Sequence, residues 1–277
     1  MNIEHKPLII SVAPNGAYKT KQDHAAVPIT ATEIASTAAA CVEAGASMIH
    51  LHVRNTNGSH SLDPDHYRAA IAAVEQAVGD KLSIQVTSEA AGIYKAEQQI
   101  AAIRTLAPRS VSIALREIIP TDDNRSVAAE FLLWLSQQKT LPQYILYDAN
   151  DVMRYRSLVT EGIIPDTPHW VLFVLGRYSE GQQSDPNQLQ PFLTASKGIK
   201  VPWAVCAFGK TELDCVLAAT EQGGHVRVGF ENNIYLQNGQ IAKGNTELIK
   251  QVAKGAAKAN YELADADDFR QIFSGWG

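Results

Sequence analysis

Cysteine, aromatic residues and blocks of like charge are all scarce in this chain. Its three cysteines, Cys41, Cys206 and Cys215, have neither C-x-x-C spacing nor an even count. That excludes a disulfide framework and fits buried, reduced thiols in a reducing compartment. The net charge is −5 and no long single-sign run occurs, so nucleic acid and anionic membrane are not expected partners. The longest apolar runs, such as Trp170 to Leu175, are too short to cross a bilayer. The first residues, Met1 to Lys6, are polar and lack the apolar stretch of a signal peptide. A cytoplasmic protein is expected. No Pro/Gly/Ser-rich linker divides the chain, so residues 1–277 are expected to form one domain.

What is present is an alternation. Of the 277 residues 45% are apolar and 19% charged, an ordinary balance for a soluble enzyme with a sizeable core. Short apolar or β-branched runs occur at Leu8 to Ala13, Ser47 to Val53, Leu82 to Thr87, Ser110 to Leu115, Gln143 to Tyr147, Trp170 to Leu175, Val201 to Ala207 and His225 to Phe230. Amphipathic, often Ala-rich stretches follow most of them, at Thr30 to Glu43, Asp65 to Val78, Asn124 to Gln138, Thr211 to Glu221 and Asn245 to Ala257. A last short helix is predicted near Ala266 to Phe273. Repeated βα units predict the α/β class, here a single (β/α)8 or TIM barrel rather than a doubly wound open sheet.

A barrel places its site at the C-terminal ends of the strands. The strand ends carry Asn15, His52, Arg54, Thr87, Ser88, Glu89, Arg116, Glu117, Asp148, Arg177, Lys210, Glu231 and Asn232. Thr30, Asp63 and Asn124 are placed as helix N-caps and need no further role.

Chemistry concentrates in Ile49-His50-Leu51-His52-Val53-Arg54. Residues i and i+2 of a strand share a face, so His50 and His52 point one way. Two neutral imidazoles aimed into one space make half a metal site; the competing reading is one histidine in a core hydrogen bond and the other in solvent. A third ligand is sought as a carboxylate, since two histidines and one glutamate recur at catalytic zinc. Period two from His225 puts Arg227, Gly229 and Glu231 on one face of the last strand, close enough around the barrel to reach the histidines. A small residue at Gly229 is expected to leave room for a ligand beside Arg227. Otherwise Glu231 is an exposed rim carboxylate and Arg227 part of an internal salt bridge.

Four segments, Ala13-Pro14-Asn15-Gly16-Ala17, Val27-Pro28-Ile29-Thr30, the His-x-His strand and Gly223-Gly224-His225-Val226-Arg227-Val228-Gly229, together resemble the β-keto acid cleavage enzyme family. The resemblance covers nearly the whole chain. It implies a divalent metal, normally zinc, on His50, His52 and Glu231. It also implies a coenzyme-A-dependent reaction in which a β-keto acid and acetyl-CoA give acetoacetate and a new acyl-CoA. Arg227 matches an arginine implied to initiate attack on acetyl-CoA together with an acidic residue after the glutamate ligand. That position is Asn232 here, whose amide cannot take a proton and is expected to orient Arg227 or substrate.

Further departures follow strands three and four, where Thr87-Ser88-Glu89-Ala90 and Ala114-Leu115-Arg116-Glu117 replace turns that often contain Thr/Gly and Asn/Gly. The candidate substrate-binding residues are Asn15, Tyr18, Thr87, Ser88 and Glu117; for Ser88 a helix cap is the alternative. Family members acting on an amino-substituted substrate carry an acid in the first loop. The loop Asn15-Gly16-Ala17-Tyr18 has none, which argues against a cationic substrate side chain. Arg177 and Lys210 are candidates to meet the phosphates of coenzyme A. The family further implies a homo-oligomer, commonly a tetramer, and the apolar Ile272-Phe273-Ser274-Gly275-Trp276 is expected to pack on its own barrel or a neighbour. Two other functions stay open: a metal-dependent hydrolase or aldolase without coenzyme A, and a non-catalytic small-molecule-binding barrel.

Overall fold

Eight parallel strands close on themselves in the computed structural model, which describes residues 7–274. They are β1 (Ile10–Val12), β2 (Met48–Leu51), β3 (Ser83–Thr87), β4 (Ser110–Ala114), β5 (Leu141–Leu146), β6 (Trp170–Leu175), β7 (Trp203–Ala207) and β8 (His225–Val228). Each pairs with its neighbours in sequence, and β1 closes the ring against β8, with Ser11 opposite Arg227 and Val12 opposite Ile49 of β2. The chain is the (β/α)8 barrel that the alternation predicts.

Helices α1 (Ala31–Glu43), α2 (Pro64–Val78), α3 (Ala96–Leu106), α4 (Arg125–Gln137), α5 (Ala149–Thr160), α6 (Leu189–Ala195), α7 (Glu212–Glu221) and α8 (Asn245–Lys258) follow β1 to β8 in turn, and α9 (Ala266–Ile272) ends the described chain. Strand residues are buried on both faces because helices cover the outside while the inner side chains fill the barrel. Met48, Leu141, Trp170, Leu172, Ala204 and Cys206 belong to that interior cluster, which Phe269 and Phe273 also join. Ring centroids 5.9 and 5.2 Å from Trp170 show that the end of the chain packs on its own barrel as far as Phe273. Met1 to Lys6, Gly275 and Trp276 lie outside the described residues. No described helix is long and apolar enough to cross a membrane.

The structure corrects several boundaries. β8 stops at Val228, two residues short of the predicted Phe230, because Gly229 takes φ +143°. β2 stops at Leu51, and Val53–Arg54 pairs instead with His60–Ser61 in a small antiparallel ribbon. Thr30 and Asp63 cap α1 and α2 as expected. Asn124 does not cap α4 with its side chain: a 3-10 turn at Asp122–Asn124 precedes it, and its Oδ1 accepts from Thr121 Oγ1 at 2.9 Å. Asp148 serves as the N-cap of α5, accepting from the Asp151 N–H.

Candidate metal centre and active site

β2 and β3 are registered so that His50 lies opposite Gln85. Their side chains meet at 2.8 Å, His50 Nδ1 to Gln85 Oε1. A carbonyl oxygen only accepts, so Nδ1 donates and the lone pair is left on Nε2. Burial, with Arg227 nearby, lowers the His50 pKa to about 3 and keeps the ring neutral. His52 projects from the break after β2 onto the same side, its Nε2 3.0 Å from His50 Nε2. Glu231 Oε2 stands 3.6 Å from His50 Nε2 and 3.4 Å from His52 Nε2, and it has no hydrogen-bond partner. Donors bonded to zinc at about 2.0–2.1 Å in a tetrahedron are separated by roughly 3.3 Å. The three gaps of 3.0, 3.4 and 3.6 Å, and the orphaned carboxylate oxygen, therefore fit a single cation. Burial alone would raise the Glu231 carboxyl, but Arg227, His50 and His52 outweigh it and hold it well below its ordinary range.

Two glycines deliver Glu231 to this point. A Cβ on Gly229 would meet the Ala13 carbonyl oxygen at 2.3 Å, so the space there belongs to the β1 backbone. The expected room for a ligand at Gly229 is thus filled by protein. The tight approach lets the Glu231 N–H bond Ala13 O at 3.0 Å. Gly16, at φ +63°, has no side chain because its Cβ would fall 2.5 Å from Glu231 Cγ. Arg54 then ties the first loop down, donating to the carbonyls of Gly16 and, at 2.9 Å, Lys19 and Gly58. Asn15 Nδ2 bridges that loop to the carbonyls of His52 and Pro28 at 3.1 and 2.9 Å.

Above the triad opens a cavity of about 280 Å³, at the C-terminal mouth of the barrel. Its polar floor includes Asn15, His50, Thr87, Ser112, Arg227 and Glu231, and its walls include Tyr18, Ala114, Ile145, Tyr147, Val174 and Phe208. Lys19, Glu89, Glu117 and Arg177 add charge. Arg227 is buried; one terminal nitrogen, Nη2, donates to Glu231 Oε1 at 3.0 Å, while Nε and Nη1 have no partner. Asn15 Oδ1 is likewise unpartnered. Buried donors and acceptors without partners are costly, so a ligand with oxygen atoms and a donor group would relieve all of them.

Comparison with known proteins decides what this arrangement belongs to. The family description "beta-keto acid cleavage enzyme" matches residues 7–274. The chain is also 32% identical over 275 residues to the 3-keto-5-aminohexanoate cleavage enzyme of Fusobacterium nucleatum, covering 96% of this chain and 97% of that one. The chain belongs to the β-keto acid cleavage enzyme family. It is 27% identical over 257 residues, 90% of this chain and 88% of the other, to the 3-oxoadipate:acetyl-CoA acetyltransferase of Cupriavidus necator. Among solved structures the apo form of ObcA superposes with a TM-score of 0.72 over 90% of this chain at 15% identity. The chain spans 65% of the length of ObcA, and the likeness concerns the fold.

In this β-keto acid cleavage enzyme the barrel brings His50, His52, Glu231 and Arg227 together, and the cavity is lined by Asn15, Tyr18, Thr87 and Glu117. Ser88 is not among the lining residues; its hydroxyl donates to the Ser112 carbonyl at 2.8 Å, and α3 starts far beyond it, so it caps no helix either. Asn232 does not contact Arg227 through a hydrogen bond. Its buried amide group has no partner, while its backbone bridges Gly229 O and the Gly209 N–H. Arg177 lines the cavity, stacked between Tyr18 and Phe208, whereas Lys210 lies over the Tyr235 ring and is not part of the lining.

Sequence reasoning missed Gln85, Lys19 and Tyr147 as parts of the site. Gln85 was readable as the inward residue two before Thr87. Glu89 belongs to the strand-end rim that the barrel pattern predicts, and the structure places it in the cavity lining.

Proposed function

We propose that this protein exchanges acyl groups between a β-keto acid and acetyl-CoA, releasing acetoacetate and a new acyl-CoA. A divalent ion, normally zinc in the family, would be held by His50, His52 and Glu231. One observation carries the reading: three ligand atoms converge on one point, two of them on residues that line the cavity, beside a buried guanidinium with two unpartnered nitrogens that faces the same cavity. When bound, the ion would supply Lewis acidity that polarises the substrate's ketone.

The remaining work falls to side chains. Arg227 is fixed at Nη2 by Glu231, which leaves an unpartnered nitrogen free to donate to the oxyanion that forms as a thioester carbonyl is attacked. Thr87 Oγ1 accepts from the Glu89 N–H and from Ser112, which leaves its proton for the substrate carboxylate. Asn15, whose Nδ2 is spent on the Pro28 and His52 carbonyls, offers its free Oδ1 to a donor group of the ligand. Tyr18, Tyr147, Ile145, Val174 and Phe208 surround the substrate's variable chain, and Glu117 reaches it from β4. The names of the two relatives, a keto acid cleavage enzyme and an acetyl-CoA acetyltransferase, support the reading. A cytoplasmic homo-oligomer, commonly a tetramer in the family, is the assembly inferred; light scattering checks it.

A hydrolase with two metals is disfavoured because His50, His52 and Glu231 form the one cluster of metal-ligand type among the described residues, and other candidate ligands are engaged elsewhere. Asp148 is engaged as a helix cap. Glu117 Oε2 accepts from the Ala90 N–H and Gln99 Nε2, both at 2.9 Å. His169 is bonded to Tyr155 and Thr167. Mass spectrometry of the metal-loaded protein with a panel of β-keto acids and acetyl-CoA tests the proposal. Acetoacetate and a second CoA ester are expected together; product formed without coenzyme A would indicate the hydrolase instead.

A further inference from the structure

Acyl exchange between a β-keto acid and acetyl-CoA requires a base, because the carbon that attacks the thioester begins as a CH₂ group between the ketone and the carboxylate. The carboxylates at and near the rim differ in how far they are committed. Glu231 is bonded to Arg227 and faces the imidazoles. Glu117 is pinned by Ala90 and Gln99. Glu212 accepts from Gly229 N and Asn233 Nδ2 and is not part of the cavity lining. Asn232 has no carboxylate and does not line the cavity.

Glu89 is different. Its backbone is anchored on both sides, the N–H donating to Thr87 Oγ1 at 3.0 Å and the carbonyl meeting His60 Nε2 at 2.8 Å. Its carboxylate lines the cavity but has no hydrogen bond among the described residues. The nearest side-chain nitrogens are Arg177 Nη2 at 3.7 Å and His52 Nε2 at 3.8 Å, both beyond hydrogen-bond reach. A fixed backbone carrying an uncommitted carboxylate beside a metal ligand is what a positioned proton acceptor requires.

We propose that Glu89 is the catalytic base, and later the acid, of the acyl exchange, an inference that rests on the function proposed above. Glu89 takes a proton from C2 of the β-keto acid, and the C2 electron pair forms a bond to the acetyl carbonyl carbon as the CoA thiolate leaves. The thiolate then attacks the original ketone. The bond between that carbon and C2 breaks, its electron pair stays on C2 of the departing acetoacetate, and Glu89 returns the proton. No net proton, oxidant or reductant is consumed. The acid role that the family resemblance would put at Asn232 is thereby carried instead from the end of β3.

Acetoacetate, itself a β-keto acid and the constant product, serves as the probe, so the natural substrate need not be known. Proton NMR in D₂O follows loss of its C2 signal with metal-loaded protein and no coenzyme A. Wild type is expected to accelerate exchange. Glu89→Gln is expected to slow the enzymatic exchange by about 10²-fold or more, with unchanged metal per chain by elemental analysis. Glu89→Asp, which keeps the carboxylate, is expected to recover part of the rate. Exchange by Glu89→Gln at the wild-type rate, with acyl-CoA formation intact in the wild type, would overturn the inference and leave the function standing. Loss of metal from Glu89→Gln would make Glu89 a ligand and overturn it too. A wild type that neither exchanges nor forms acyl-CoA would overturn both.

Discussion

Gly16 and Glu231 share a space too small for one more carbon. The contact of 2.5 Å that a Cβ on Gly16 would make with Glu231 Cγ, added to φ +63°, means that Gly16→Ala must displace the ligand or the loop. Metal affinity is expected to fall at least 10-fold in this variant, read by competition with a chelating dye; unchanged affinity would show that Glu231 adapts freely. Glu212 provides a pH test. Burial, opposed by its bonds to Asn233 and Gly229, raises its pKa from 4.5 to about 8. Between these values the folded state holds a proton that the unfolded chain lacks, so its contribution is full below 4.5 and is lost as pH rises through about 8. Glu212→Gln removes that dependence. Its stability relative to wild type is expected to improve from pH 5 to pH 8.5, on the order of a few kcal/mol, as followed by thermal midpoints. A constant difference over that range would mean that Glu212 is ionised throughout.

The elements show which local signals carry through to the site. Thr30 closes a capping box with Glu33, whose carboxylate also accepts from the N–H groups of Ile29 and Thr30. The preceding Pro28 carbonyl receives Asn15 Nδ2, so this cap steadies one wall of the cavity. Thr30→Ala is expected to cost about 1 kcal/mol, measured by urea unfolding; a cost near zero would mean that Glu33 alone holds the turn. The cap was readable because Thr-x-x-Glu before an apolar helix is a local pattern. Likewise β2 announced its histidines through period two. The end of β8 was not readable in this way. Period two continued on paper to Glu231, whereas the chain turns at Gly229 because β1 crowds it, a long-range contact that no local pattern contains. Asn124 failed as a side-chain cap for a related reason: a 3-10 turn runs into the helix and leaves the residue with helical torsions.

At the scale of the whole molecule, the barrel was visible from the alternation, and the ligand triad from the barrel together with two motifs. The far wall of the cavity was less visible, because Glu89, Lys19 and Tyr147 come from three different loops and only closure of the ring faces them inward. Closure also predicts linkage between metal and fold, since His50, His52 and Glu231 join the second strand to the turn after the eighth. Removing metal with a chelator is expected to lower the thermal midpoint by several degrees, a loss of about 2.7 kcal/mol if free metal had been 100 times its dissociation constant. His52→Ala is expected to bind poorly and to show little change on chelation. A chelator effect of equal size in His52→Ala would remove that residue from the ligand set.

The most direct test of the central claim follows carbon. Metal-loaded protein is incubated with an unlabelled β-keto acid that it turns over and with acetyl-CoA carrying ¹³C in both acetyl carbons, and the products are read by ¹³C NMR and mass spectrometry. The expected result is acetoacetate labelled only at its keto and methyl carbons, with the new acyl-CoA unlabelled in its acyl group. Acetoacetate without label, or keto acid cleaved while labelled acetyl-CoA remains intact, would contradict acyl exchange.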